Sequence, residues 1–385
     1  MSEWKKVRLG EIANYVNEKI DIKAFDTSLY ISTDSMLKDK GGIGTPESIP
    51  ESGKVTKYQH NDILVSNIRP YFKKIWFSNR EGGCSNDVLV FRANDNIDST
   101  FLYYVLSDDS FFDHMMSSAN GTKMPRGNRK LIPSFEIPLP PLSTQHRIAS
   151  ILSRYDSLIE NYQKQIKLLE EAAQRLYKEW FIDLRFPGHE NTNIIDGVPE
   201  GWERKSIGEL GEYLNGFAFK PSDWQELGKP IIKIKEMSNG VTNETPRNSG
   251  ERVPEKYLIK AGDLLFSWSA TLMVIIWSGE EGWLNQHLFK VTPVKGIDRE
   301  FLLQSISNTI VEFQNLTTGS TMKHIQRNKL DQVFVNVPNA EIMKRYSDIS
   351  EKTRSNILSL QSQLRLLTEA RDRLLPKLMN GEIAV

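Results

Sequence analysis

The sequence predicts an α+β protein: two duplicated α/β globular units separated by two long antiparallel helices that form an intramolecular coiled coil. Three observations predict it. First, residues 142–183 carry no glycine and no proline. Ile148, Leu152, Tyr155, Ile159, Tyr162, Ile166, Leu169, Ala173, Leu176 and Trp180 recur there at alternating steps of four and three. That is a heptad seam, and a helix with such a seam needs a partner helix along its length. Second, adding 198 to those positions gives Tyr346, Ser350, Thr353, Ile357, Leu360, Leu364, Leu367, Arg371, Leu374 and Leu378, seven of them large and apolar. The partner therefore lies in the same chain. Third, the globular parts repeat at nearly the same offset. Trp4, Leu9-Gly10-Glu11-Ile12 and Tyr15-Val16-Asn17 are echoed by Trp202, Ile207-Gly208-Glu209-Leu210 and Tyr213-Leu214-Asn215; Asp62-Ile63-Leu64-Val65-Ser66 by Asp263-Leu264-Leu265-Phe266-Ser267; Gly121-Thr122-Lys123-Met124 by Gly319-Ser320-Thr321-Met322. A period this long is a duplicated domain, not a solenoid unit.

Taken in order, residues 1–141 form the first unit. Ile63-Leu64-Val65, Ile75-Trp76-Phe77 and Val88-Leu89-Val90-Phe91 are short apolar runs that read as strands. A helix is expected from Phe101 to about Met116, capped by Ser99 or Thr100. A glycine- and serine-rich loop follows and holds Lys123, Arg126, Arg129 and Lys130, with no acid between Asp113 and Glu136. The central helix spans 142–183 and stops before Arg185-Phe186-Pro187-Gly188. Residues 184–338 hold a polar linker to about 201 and the second unit, in which Leu272 to Trp277 reads as a buried strand. Residues 339–385 hold the second helix and a tail. Asn339 is its N-cap, and Pro376 should end or kink it near Leu375.

The length of 385 residues allows two or more domains, and 49 basic residues balance 49 acidic ones. Net charge thus gives no argument for a nucleic-acid partner, and local distribution must supply one. A single cysteine, Cys84, excludes an internal disulfide and a cysteine-based zinc site, which fits a reducing cytoplasm. No apolar run reaches the length of a membrane span.

Catalytic constellations are missing from the sequence. Gly53-Lys54 and Gly228-Lys229 lack the other residues of a phosphate-binding loop, and Gly41-Gly42-Ile43-Gly44 has no strand–turn–helix setting. Asn67-Ile68-Arg69-Pro70-Tyr71 is superficially similar to the Asn-Pro-Pro-Tyr of adenine methyltransferases but lacks its double proline. The six histidines show no metal-ligand spacing. The basic loops are better candidates for function, because backbone amides, hydroxyls and cations bind phosphates, while Arg, Lys, Asn and Gln read base edges. Lys123, Arg126, Arg129 and Lys130 in the first unit, and Thr321, Lys323 and His324 in the second, are the candidate DNA contacts. Asn285, Gln286 and His287 stand opposite Asn86 and Asp87 in the repeat. Such side chains can donate to and accept from bases, or simply end a strand.

At this point the chain resembles the specificity subunit of type I restriction–modification systems over its whole length. The residues that carry the resemblance are Pro140-Pro141-Leu142, Gln145 and Ile148-Ala149 at the start of the central helix, and Arg175-Leu176-Tyr177-Lys178-Glu179-Trp180-Phe181 with Arg185-Phe186-Pro187-Gly188 at its end. Leu374-Leu375-Pro376-Lys377-Leu378-Met379-Asn380-Gly381-Glu382-Ile383 and Tyr30-Ile31-Ser32-Thr33-Asp34 add to it. The resemblance implies that residues 1–141 and 202–338 are target recognition domains, each reading one half of a split site on double-stranded DNA, with the helices as spacer. It implies a non-catalytic chain without a cofactor of its own, two partner methylation subunits that use S-adenosylmethionine, and restriction subunits that use ATP and magnesium. Two alternatives stand beside it: a helical scaffold with protein-binding ends, and a solitary DNA methyltransferase.

Overall fold

The computed structural model describes residues 4–316 and 327–385. The chain forms two compact units: Met1–Glu160 with Leu366–Val385, and Asn161–Arg365. These units cut across the segments read from the sequence, because each of the two long helices, Leu142–Tyr177 and Ala340–Met379, gives its N-terminal part to one unit and the rest to the other.

In the first unit the strands Ala13–Tyr15, Val88–Ala93, Ile63–Ser66 and Ile75–Phe77 form an antiparallel sheet in that order. Lys19–Asp21, Lys54–Tyr58 and Gly82–Cys84 form a second sheet, and Lys5–Arg8 pairs with Glu136–Leu139. The central strands are buried on both faces, which is why they read as unbroken apolar runs rather than as alternation. Ile63, Val65, Leu89 and Phe91 enter the main core with the helices, while Leu64, Val88 and Val90 face a smaller core with Ile31, Tyr58 and Cys84. Cys84 is fully enclosed there, and burial pushes its thiol up to about 12.

The second unit repeats this plan. Gly211–Asn215, Leu288–Pro293, Leu264–Ser267 and Met273–Ile276 form the antiparallel sheet. Arg247–Asn248, Lys229–Ile232, Gly282–Leu284 and Leu258–Ile259 form the other, and Glu203–Ser206 pairs with Phe334–Val337. The same alternation splits Leu264 and Phe266 from Leu265 and Leu288 into two cores.

The helix seams are inward-facing in each unit. Every seam position of the central helix is buried or half-buried, and Ile148 with the positions seven apart, Leu152, Ile159, Ile166, Ala173 and Trp180, are the buried ones. Within the first unit, Ile148 and Leu152 share a core with Leu375, Leu378 and Met379, and Asp156 pairs with Arg371. Within the second, Trp180 packs on Tyr346, with ring centroids 6.0 Å apart. In both units rising numbers on one helix meet falling numbers on the other, so the helices run antiparallel.

Several elements differ from their sequence reading. The helix expected from Phe101 to Met116 is two helices, Ser99–Ser107 and Asp109–Ser117. Its cap is Asp98, whose carboxylate accepts the Phe101 N–H at 2.8 Å. Asp108 ends the first helix and starts the second by accepting the Ser110 N–H at 3.0 Å. The C-terminal helix is capped by Asn339, which accepts the Ile342 N–H at 3.0 Å. It does not end at Leu375. Pro376 removes one N–H, but burial of Leu375, Leu378 and Met379 holds the last turn, and the Asn380 N–H still reaches the Pro376 carbonyl at 3.0 Å. The central helix closes on a wide π turn, Lys178–Ile182, locked by Arg185 on Glu179 at 2.6 and 2.7 Å. The stretch after it is not a plain polar linker, since Phe186 is buried on Trp202 and Ile194–Ile195 pairs with Val198–Pro199. Met273–Ile276 is a strand, but a half-buried one at the sheet edge.

Candidate nucleic-acid interface

In the first unit, three loops from distant parts of the sequence are stitched together where the chain crosses between sheets. Residues 85–87 join Gly82–Cys84 to Val88–Ala93. The Ser85 N–H donates to the Ile31 carbonyl at 2.8 Å, and the Asn67 N–H to the Asp87 carbonyl at 2.9 Å. The Arg69 N–H donates to Pro125 at 2.8 Å and the Gly127 N–H to Asn67 at 3.2 Å, which fixes the loop around 120–130 against the other two. Asn67, Asn86, Asp87, Asn120, Arg126 and Arg129 line the open concavity that results.

Arg126 pairs with Asp87 at 3.2 Å. Arg129 donates to the Asn86 carbonyl, and Lys19 donates to the Asn86 amide oxygen at 2.5 Å. The Tyr15 hydroxyl donates to the Arg129 carbonyl at 3.2 Å; burial pushes this phenol up, with Arg129 opposing, so it stays neutral. Arg126 and Asp87 are exposed enough that their ion pair is worth little, and the guanidinium can exchange this partner for a phosphate or a guanine edge. The side-chain amides around it have the donor–acceptor pattern that matches adenine.

The structure thus gathers Asn86, Arg126 and Arg129. Lys123 and Lys130 are exposed on the same loop but do not line the concavity. Asp87, named beside Asn86 from the repeat, belongs to it, and so do Asn67 and Asn120, which the sequence did not single out as contacts because the crossing between sheets that unites them has no local signal. A basic turn adjoins it. Arg69 and Lys73 both adopt left-handed backbone (φ 49) around Pro70–Phe72, and Phe72 carries Lys38 Nζ 4.1 Å above its ring. Left-handed backbone at these non-glycine residues is a strained conformation.

In the second unit residues 285–287 make the equivalent crossing. The Asn285 N–H donates to the Ile232 carbonyl at 3.1 Å, as Ser85 does to Ile31. The register therefore pairs Asn285 with Ser85, Gln286 with Asn86 and His287 with Asp87. Asn285 is buried, and Gly216 presses on it so closely that a Cβ there would lie 2.2 Å from the Asn285 carbonyl oxygen. Gln286 is half-buried, with a side-chain oxygen that has no hydrogen-bond partner among the described residues. Trp268 stands where the first unit has Asn67; it donates to Asn215 at 3.1 Å and packs on His287. Thr321, Lys323 and His324 lie outside the described residues. Among the described residues no three His, Cys, Asp or Glu side chains gather as metal ligands, and no helix is long and apolar enough to cross a membrane.

The sequence model of the type I restriction modification DNA specificity domain matches residues 1–171 and 199–364. The chain belongs to this family. It is a type I specificity subunit, a recognition chain and not an enzyme. The HindI specificity subunit of Haemophilus influenzae is 25% identical over 464 aligned positions that cover both chains entirely. The MjaVIII specificity subunit of Methanocaldococcus jannaschii is 25% identical and covers 100% of this chain and 93% of its own. Among solved structures, the S subunit of a type I system from M. genitalium covers 98% of this chain and 96% of its own, with TM-score 0.59 and 16% identity, a likeness of fold.

Proposed function

We propose that this specificity subunit reads a bipartite, asymmetric site on double-stranded DNA, one half with each unit, and that the helix pair sets the gap between the halves. The crossing loop carries this reading: the same three-residue connection in both units presents Asn86 and Asp87 in one and Gln286 and His287 in the other. A shared framework with different polar residues at its tip suits two readers of different sequences. The spacer role is supported by the helices themselves. At 1.5 Å per residue they are about 54 and 60 Å long, on the order of 16 to 18 base pairs at about 3.4 Å each.

In this reading two methylation subunits dock on the helices and methylate adenines with S-adenosylmethionine, and restriction subunits supply ATP- and magnesium-dependent cleavage. This chain holds no cofactor, and the complex works in the cytoplasm. Its role is to bring the partners to the site.

The test is methylome sequencing of cells carrying the complex. Exchanging residues 1–141 for another family domain should change one half-site and leave the other intact; a change in both halves refutes the modular reading. Deleting one heptad between Ile159 and Leu169 should shorten the gap, and an unaltered gap refutes the ruler. For the contacts, Arg126→Ala and Lys323→Ala should each weaken DNA binding and lower the salt slope by about one. Normal binding by both removes these loops from the interface.

A further inference from the structure

The two units differ where the helix pair meets the globular core. In the first unit the space is filled. Tyr103 stacks on Phe77 with centroids 5.4 Å apart, Tyr104 donates to Asp156 at 2.6 Å, and Arg371 donates to the other Asp156 oxygen at 2.9 Å. In the second unit the matching strand position is Ile276, which pairs with Leu264 as Phe77 pairs with Ile63. The other matching positions are Leu303, Gln304 and Ala173, and Asp156 is replaced by Arg354. Four side chains have become smaller, and one charge is reversed.

The consequence is a cavity of about 350 Å³ among these residues. Val274, Ile276, Leu303, Ile357 and Leu358 supply apolar wall, and Glu170 and Gln174 flank the solvent side. Glu300 lines it while only 5% exposed. One of its carboxylate oxygens accepts from Gln304 at 2.7 Å; the other has no hydrogen-bond partner among the described residues. Glu170, Glu300 and Arg354 are the charged side chains lining the cavity, two acids to one base, and Arg354 keeps one buried nitrogen without a hydrogen-bond partner among the described residues. Burial pushes the Glu300 carboxyl up, with Gln304 and Arg354 opposing. A buried carboxylate in this state gains from a cation placed against it.

We propose that this cavity is a binding site for a small aromatic cation, a ring bearing an amidine or amine. Its charged group pairs with Glu300, and its ring lies on Ile276 and Leu303. The first unit fills the same place with its own chemistry, two phenol rings and a guanidinium. The volume falls within the range of small-molecule sites.

Benzamidine is a suitable probe, titrated calorimetrically into the full chain against neutral benzamide. Benzamidine should bind with a dissociation constant of about 10 µM to 1 mM, and benzamide at least tenfold more weakly, roughly the worth of a charge-assisted hydrogen bond. Glu300→Gln should weaken benzamidine by about tenfold or more. Ala173→Arg, which restores the guanidinium of the first unit, should abolish binding. Leu303→Tyr should abolish it as well, by volume alone and without touching a charge. Equal binding of benzamidine and benzamide overturns the proposal. So does benzamidine binding unchanged in the folded Ala173→Arg and Leu303→Tyr variants, or no binding by the parent chain.

Discussion

In the first unit the helix after the central strands stops at Ser107 and restarts at Asp109; in the second it runs unbroken as Arg299–Asn315. The two begin alike, with Asp98 and Asp298 as caps. They diverge at one matched position. Asp108 turns its carboxylate onto the Ser110 N–H and hydroxyl, while Asn308 donates its amide to the Gln304 carbonyl at 2.8 Å and stays inside the helix. A similar divergence appears on the long helices, where Asp156 is satisfied by Tyr104 and Arg371 but Arg354 has a buried nitrogen without a hydrogen-bond partner among the described residues. Duplication preserved the apolar frame and freed the polar positions. Apolar burial needs only the right size and side, whereas each polar group needs a specific partner.

The strongest way to break this comparison is at the shared frame. Phe101 and Phe301 are each fully buried at the same place in the two cores. Phe101→Ala and Phe301→Ala should each cost about 3–5 kcal/mol, read from hydrogen exchange of the strands in the mutated unit. A difference above about 2 kcal/mol between them would show that the two cores are not equivalent.

The next effect lies in the polar network. Arg371→Ala should destabilise the first unit by about 2 kcal/mol, because it leaves Asp156 half-buried with only Tyr104 as partner. A double-mutant cycle with Asp156→Ala should recover part of that cost; strict additivity would mean the pair contributes nothing.

The caps should differ by less. Asp98 accepts the Phe101 N–H and meets the central helix only through an exposed His146, 3.6 Å away, and its own N–H on Gln145, whereas Asp298 accepts from Glu300 and Phe301 and also from the Ser347 and Ser350 hydroxyls of the long helix. Asp98→Ala should cost about 1 kcal/mol and Asp298→Ala about 2, measured by urea denaturation. Equal costs would remove the tie from Asp298 to the long helix.

The smallest effects test the helix break. Asp108→Ala and Asn308→Asp should each cost about 0.5–1 kcal/mol, the first by losing a cap and the second by losing the donor to Gln304. A stabilising Asp108→Ala would mean that the break is imposed by packing and not by the cap.

Much of this was legible in the sequence. The heptad seam named the ten inward positions of the central helix, and the offset found its partner without any structural knowledge. Strand assignments at Ile63–Ser66 and Val88–Ala93 followed from β-branched apolar runs. The helix break was not legible, because an aspartate inside an amphipathic pattern is as compatible with an exposed position as with a cap. The interface was partly legible. Asn86, Arg126 and Arg129 stood out by residue type and Asp87 by its place in the repeat, but Asn67 and Asn120 enter only because backbone hydrogen bonds from 67 to 87, 69 to 125 and 127 to 67 close three loops on one another.

The sequence by itself determined that the chain is a duplicated domain threaded by two pairing helices. Periodicity and repetition are properties of order along the chain, and the hydrophobic effect acts on them without regard to detail. Only the tertiary structure decided which polar side chains meet. Tyr104, Asp156 and Arg371 form a closed network, while their counterparts Gln304, Arg354 and Ala173 surround a cavity with Glu300. Those pairings join residues far apart in the chain, and each depends on directional contacts a few ångströms long that no spacing rule encodes.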